Sequence, residues 1–231
     1  MSLFLKMQNT LNHIAIIIDG NRRYAKKKFL EVWKGHDFGA DTVEKAIEWC
    51  QELKIKELTF YALSLENLKR EKIEVEALLN LMRKFLKKIK TDERIKKNKV
   101  RIRFLGRLNL LPTDIQKLAQ DAEDHTKNYN NIIVNFCIAY GGRQEMVDAI
   151  THIVKNNLEV IEENIQKNLY LQSEPELIIR TGGHTRTSNF LIWQSVYSEW
   201  IFLQKLWPEF TKDDLIECIE KFKNMKRNFG K

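Results

Sequence analysis

Asp19-Gly20-Asn21-Arg22-Arg23 sets one carboxylate beside two guanidinium groups, directly after the apolar run Ile14 to Ile18. A carboxylate among cations suits a diphosphate held with a divalent metal, the aspartate taking the metal and the arginines the free oxygens. The apolar run reads as a strand buried on both faces, as in a parallel sheet. Gly20-Asn21 is a turn signal, and the basic stretch that follows reads as a helix. Strand ends of this kind form the ligand crevice of open α/β sheets, and helix starts favour anions. The stretch by itself fits a strand followed by a solvated basic helix equally well.

Three more strand-like runs end in polar loops: Ser64 to Arg70, Tyr140 to Arg143 and Arg180 to Asn189. In a parallel sheet such loops share one edge, so segments far apart in the chain converge. They bring Arg23, Arg70, Arg143, Arg180 and Arg186 toward one cleft. Guanidinium groups bind phosphate oxygens in bidentate fashion, and several around one cleft suit more than one phosphorylated ligand. Each has an ordinary alternative: Arg143 also fits a helix start, and Arg70 a pair with Glu66 or Glu74. The four loops together favour the phosphate reading.

The elements that must position these loops alternate along the chain. Strands are expected at Leu58 to Leu63, Val100 to Leu105, Ile132 to Ile138, Leu177 to Ile179 and Glu199 to Leu203. Helices are expected from Gly35 to Lys54, Lys72 to Lys90, Thr113 (as N-cap) to Lys127, Gln144 to Lys167, and after a Thr211 cap. The alternation predicts right-handed crossovers and a single α/β domain over residues 1–231, with a mostly parallel central sheet flanked by helices. On the 72–90 helix, Met82, Phe85 and Leu86 belong to an apolar face wider than one packing stripe needs. Ordinary core accounts for most of it; a greasy cleft leading from the phosphate site is the alternative, suited to an amphiphile with an anionic head.

Composition narrows the field. No apolar run approaches the ~20 residues of a membrane span, and Met1 to Lys6 is too short and wrongly charged for a secretory signal. Cys50, Cys137 and Cys218 form no CxxC pair, which points to buried free thiols and a reducing cytoplasm. The net charge of +8 admits nucleic acid, anionic lipid or a phosphorylated substrate. Charge is all that supports nucleic acid. A nicotinamide enzyme would need GxGxxG, and a P-loop nucleotidase GKS/T; neither occurs.

Residues His13 to Arg23, Gly35-His36, Tyr61 to Arg70, Tyr140 to Arg143, Arg180 to Phe190 and Trp207-Pro208 resemble, in order, the motifs of the cis-prenyltransferases. These are the undecaprenyl and dehydrodolichyl diphosphate synthases, and Asp-Gly-Asn-Arg-Arg-Tyr is closest to the archaeal and eukaryotic branch. The resemblance implies their fold, with a hydrophobic tunnel lined partly by the 72–90 helix. It implies elongation of an allylic diphosphate, farnesyl or geranylgeranyl, by isopentenyl diphosphate units added with cis double bonds, with Mg²⁺ assisting. The long-chain product would be a precursor of a lipid glycosyl carrier. Asp19 would govern the Mg²⁺ diphosphate and ionisation, and Gly20, Asn21, Arg22, Arg23 and His36 would cradle the starter. Ser64 and Asn67 match positions implicated in proton removal, for which the departing diphosphate is the alternative base. Arg180, Arg186 and Ser188 would hold isopentenyl diphosphate, and Tyr24, Glu66 and Arg70 fall in the same substrate-binding motifs. Glu199 matches a carboxylate that reaches the neighbouring subunit's metal, implying a homodimer. A cytoplasmic enzyme touching the inner face of the membrane for product release, with no nucleic-acid partner, completes the expectation.

Departures from that pattern are specific. His184 stands where the family carries Glu, Val32 where bacterial members carry a starter-contacting Arg, and Leu68 where an aromatic is usual. The ending Arg227-Asn-Phe-Gly230 displaces an Arg-x-Gly tail by one residue. A non-catalytic prenyltransferase-like subunit is the nearest rival, but such subunits typically lack the first-loop Asp that this chain keeps as Asp19.

Overall fold

His13–Ile17 forms β1, buried at every position, as a run without polar alternation requires. The computed structural model describes residues 11–225; the expectations for Met1 to Lys6 and for the Arg227 to Gly230 tail lie outside them. β2 (Glu57–Ser64), β3 (Val100–Leu105), β4 (Ile132–Tyr140), β5 (Leu177–Arg180) and β6 (Glu199–Phe202) complete a six-stranded sheet. Its order is β3-β4-β2-β1-β5-β6, and every pairing is parallel. The chain lays β2, β3 and β4 on one side of β1, with β4 entering between β2 and the edge strand β3, then crosses to place β5 and β6 on the other. The switch point therefore falls between β1 and β5, where open α/β sheets bind ligands at the carboxyl ends of their strands.

The helices are α1 (Asn21–Lys27), α2 (Lys34–Glu52), α3 (Lys72–Ile89), α4 (Glu93–Lys97), α5 (Thr113–Thr126), α6 (Gly142–Lys155), α7 (Glu162–Asn168) and α8 (Lys212–Asn224). Alternate β1 side chains enter two separate cores. Ile14 and Ile16 pack with Val43, Ala46 and Cys50 of α2, Leu79 and Leu86 of α3, Ile115 of α5 and Leu215 of α8. Ala15 and Ile17 pack with Tyr61, Tyr140, Phe190 and Leu191 on the other face. The β3 edge is shielded: the backbone N–H of Ile102 donates to Thr126 Oγ1 (3.1 Å) and that of Phe104 to Glu123 Oε1 (2.7 Å).

Thr211 caps α8 with a reciprocal capping box, as expected. Thr113 does not cap α5. Pro112 holds the flanking position and Thr113 begins the helix without a side-chain cap bond, so the fixed proline φ, not a hydroxyl, starts it. The short α4 was not expected; Asp92 caps it by accepting from the Arg94 N–H. All three cysteines are buried free thiols.

Candidate active site

The carboxyl ends of β1, β2 and β5 open into a cleft of about 780 Å³. Asp19, just past β1, uses both carboxylate oxygens: Oδ1 accepts from Arg23 Nη2 (3.1 Å) and Oδ2 from Arg180 Nη2 (3.0 Å). Arg180 ends β5, is nearly buried, and donates through Nη1 to Ser188 Oγ (2.8 Å) and to the Arg186 carbonyl. Its Nε has no partner among the described residues. A buried donor without an acceptor is costly, and the nearby cleft is where an anion could supply one.

Two features hold Asp19 in place. The Trp207 N–H donates to the Asp19 carbonyl (3.0 Å), while the Trp207 indole donates to the Gly39 carbonyl (2.8 Å), so the Trp-Pro motif ties the β1 loop to α2. Arg23 reaches its position over Gly182, whose φ is +87°; a Cβ there would stand 2.5 Å from Arg23 Nη2. Only glycine admits both that backbone and that approach.

The loop after β5 is strained. Ser188 (φ 52°), Asn189 (64°) and Leu191 (43°) all take left-handed backbone without being glycine. Such residues persist where their surroundings over-determine them, commonly at functional sites. Here Tyr61 Oη donates to the Ser188 carbonyl (3.3 Å), and the Gly142 N–H to the Asn189 carbonyl (2.7 Å). Asn189 Oδ1 accepts from the Arg143 N–H (2.9 Å), and its Nδ2 donates to Gln144 Oε1 (3.1 Å) and Glu66 Oε1 (3.3 Å). One asparagine thus joins the loops that end β2, β4 and β5.

The opposite wall is organised by Glu74, a buried carboxylate in the first turn of α3. Its Oε1 lies 2.8 Å from Arg70 Nη1, 3.4 Å from His36 Nε2 and 3.6 Å from Arg22 Nε. Burial lowers the His36 pKa, outweighing the pull of Glu74, so the ring is neutral near pH 7. Ser64 and Asn67 are bound reciprocally: the Ser64 N–H donates to Asn67 Oδ1 (3.3 Å), and the Asn67 N–H to Ser64 Oγ (3.2 Å).

An apolar bore of about 120 Å³ lies beside this cleft, between α2, α3 and the sheet. Ile18, Asn21, His36, Ala62 and Leu78 line both spaces, so the two adjoin along that wall. The 72–90 helix divides accordingly. Leu79, Leu86 and Ile89 are core, whereas Leu78, Leu81, Met82 and Phe85 face the bore.

Asp19, Gly20, Asn21, Arg22, Arg23, His36, Ser64, Glu66, Asn67, Arg70, Arg180, Arg186 and Ser188 all line the cleft, as does His184. Tyr24 does not; its ring packs on Phe38, 5.3 Å between centroids. Arg143 is exposed and also stays outside the lining, taking its helix-start alternative in the first turn of α6. Glu199 begins β6, in register with Leu177 and three residues behind the Arg180 level, so within one chain it is remote from the cleft. Glu74, Asn189 and Tyr61 were missed as site residues. Glu74 was legible only as a partner for Arg70, and the other two act through contacts across strands that sequence spacing does not reveal.

Among the described residues no group of three or more His, Cys, Asp or Glu converges to hold a metal. Mg²⁺ usually takes one or two carboxylates together with substrate phosphates and waters. Asp19 fits a metal that arrives with a diphosphate, not a standing metal centre.

A cationic cleft beside an oily bore suits diphosphate esters of apolar alcohols. Residues 17–230 match the prenyltransferase family described as "Putative undecaprenyl diphosphate synthase". A tritrans,polycis-undecaprenyl-diphosphate synthase (geranylgeranyl-diphosphate specific) of Thermococcus kodakarensis is 44% identical, over 98% of this chain and 89% of its own. An isoprenyl transferase of Thermotoga maritima is 43% identical over 94% and 96%. Lavandulyl diphosphate synthase from Lavandula x intermedia, solved with dimethylallyl diphosphate, superposes with a TM-score of 0.91 at 31% identity, covering 97% of this chain and all of that one. The chain belongs to the undecaprenyl diphosphate synthase family of cis-prenyltransferases and is a prenyl-transferring enzyme.

Proposed function

We propose that this enzyme condenses successive isopentenyl diphosphate units onto an allylic diphosphate, forming a long cis-polyprenyl diphosphate that serves as a lipid-carrier precursor. The carrying observation is the apolar bore that adjoins the arginine-lined cleft and shares its wall. Geranylgeranyl diphosphate is the starter we favour over farnesyl, because the Thermococcus kodakarensis relative is named for it.

In this reading Asn21, Arg22, Arg23 and His36 seat the starter's diphosphate, and its tail enters the bore. Arg180, Arg186 and Ser188 seat the isopentenyl head. The allylic C–O bond breaks, its electrons leaving with the diphosphate, and the isopentenyl double bond closes on the allylic carbon. A proton is then lost from the new cation, and the departing diphosphate is the base, since neither Asn67 nor Ser64 is one; that pair orients the reacting carbon. Arginines aimed at the departing group stabilise charge where it develops. Mg²⁺ held by Asp19 with the diphosphate would supply further neutralisation of that charge. Each methylene carried into the bore contributes ~0.8 kcal/mol, so growth is favourable while apolar space lasts. Glu199 acts, in this reading, across a homodimer interface, and the amphiphilic product leaves to a membrane that the enzyme touches peripherally.

Radiolabelled isopentenyl diphosphate supplied with Mg²⁺ and either a farnesyl or a geranylgeranyl starter tests the proposal. Label should pass into butanol-extractable polyprenyl chains, faster with geranylgeranyl. Label left in the aqueous phase with both starters would refute it.

A further inference from the structure

Phe29 is the most exposed large hydrophobic residue described, with 98% of its surface open. It also occupies an unusual backbone position. At the end of α1 the Phe29 N–H bonds the Lys26 carbonyl (3.1 Å) and the Leu30 N–H the Ala25 carbonyl (2.9 Å), a Schellman cap. That motif puts Phe29 in the left-handed region, φ 56°, where glycine is the usual residue and a bulky side chain is strained. Three other helix ends place a non-glycine residue in the same region, and they carry Lys54, Lys99 and Asn157, whose polar ends water accepts. Phe29 has both the strain and the exposure, and nothing among the described residues compensates either.

The surroundings indicate what does. From Lys26 to Lys34 the chain carries Lys26, Lys27, Lys28 and Lys34 against Glu31 alone. Lys27 is charge-matched by Glu209 (2.7 Å) and Lys28 sits 5.9 Å over the Tyr24 ring, so the remaining positive charge of the run is carried by Lys26, Lys28 and Lys34. Phe38, the partner of Tyr24, is also exposed. Aromatic side chains beside lysines favour the headgroup level of a bilayer, and basic groups add attraction to anionic lipid. The corner lies between the two parts of the site: Lys26 and Arg22 of α1 line the cleft, and Gly39, Ala40 and Val43 of α2 line the bore.

We propose that the α1–α2 corner is a docking surface for an anionic lipid bilayer, with Phe29 inserted among the headgroups and the lysines on the lipid charge. Its purpose rests on the proposed activity, whose product is an amphiphile; its location rests on Phe29. The corner holds the site beside the phase into which a lengthened tail partitions.

Vesicle co-sedimentation of the full chain tests this, with phosphatidylcholine alone and with phosphatidylcholine plus phosphatidylglycerol. The wild type should sediment with the anionic vesicles and not with the neutral ones. Phe29→Gly should bind about tenfold less and melt at an equal or higher temperature, because glycine relieves the cap. Phe29→Trp should keep binding. Incorporation of isopentenyl diphosphate without vesicles should match between wild type and Phe29→Gly, so loss of docking is separable from loss of chemistry. A wild type that ignores anionic vesicles, or a Phe29→Gly variant that sediments as the wild type does, would overturn the inference.

Discussion

Arg180 Nη2 lies 3.0 Å from Asp19 Oδ2, joining residues 161 positions apart across the switch point of the sheet. The same carboxylate holds Arg23 through its other oxygen. Asp19 is therefore saturated by the cations that would bind phosphate. At an effective dielectric of ~20 and ~3 Å such a pair has a gross attraction of about 5 kcal/mol, part of which is offset by desolvation of the two ions. A lone anion would gain the arginines while competing with Asp19. A metal diphosphate satisfies both sides, offering the carboxylate a cation and the guanidinium groups an anion.

Asp19→Asn should lower the condensation rate by about 10²–10³-fold. It should also reduce stability by about 3 kcal/mol, because Arg180 would keep a buried charge without its counter-ion. Inorganic diphosphate should raise the melting temperature of the variant more than that of the wild type. Thermal melting with and without diphosphate, beside single-turnover kinetics, checks both.

Glu74→Gln addresses the opposite wall. Loss of its charge should loosen Arg22, Arg70 and His36 together. Misplaced positioning groups cost catalysis heavily, and KM for the allylic starter should rise about tenfold or more, with KM for isopentenyl diphosphate nearly unchanged. Steady-state kinetics with each substrate varied in turn separates the two. An equal rise in both would remove Glu74 from the starter side.

Phe85 stands between the bore and a smaller apolar pocket of about 40 Å³. That pocket is rimmed by a charged cluster in which Lys88 and Arg94 pair with Glu44 (2.6 Å each) and Arg94 also with Asp92 (2.7 Å). Phe85→Ala should merge the two spaces and shift the main product upward by at least one five-carbon unit. Chromatographic sizing of the extracted chains measures it.

His13 begins β1 almost wholly buried, 2.7 Å from Thr59 Oγ1, and burial lowers its pKa to about 4. In the unfolded chain the ring titrates near 6.5. Above that pH it is neutral in both states. As the pH falls below 6.5 the unfolded chain takes the proton first, so stability declines until about pH 4, by about 3 kcal/mol in total. Denaturant titrations from pH 7 to 4 should show this slope in the wild type and a flatter one in His13→Gln.

How far the fold could be read from sequence depended on what each residue's role required. Ile14 to Ile18 and Leu177 to Ile179, unbroken apolar runs, and Ile132 to Ile138, broken only by Asn135, lie on or beside strands because such runs have few other uses in a chain of this size. The loops at their ends then had to share an edge, which brought Asp19, Arg180 and Arg186 to one cleft. Thr113 misled because a hydroxyl and a preceding proline are both helix-start signals and the proline set the boundary. Asn189 was invisible as a hub, since its partners Glu66, Gly142 and Gln144 come from two other strand ends. Tyr24 shares the motif of Arg23 but turns to Phe38, because successive residues on a helix point in different directions.

The most direct test is a crystal structure with a non-ionisable geranylgeranyl thiodiphosphate, isopentenyl diphosphate and Mg²⁺ together. The thiodiphosphate should lie against Asn21, Arg22 and Arg23 with its tail between α2 and α3, and the isopentenyl head on Arg180, Arg186 and Ser188. Asp19 should then have exchanged an arginine for the metal. Diphosphates bound away from these arginines, or a tail lying outside the bore lined by Met82 and Phe85, would contradict the account.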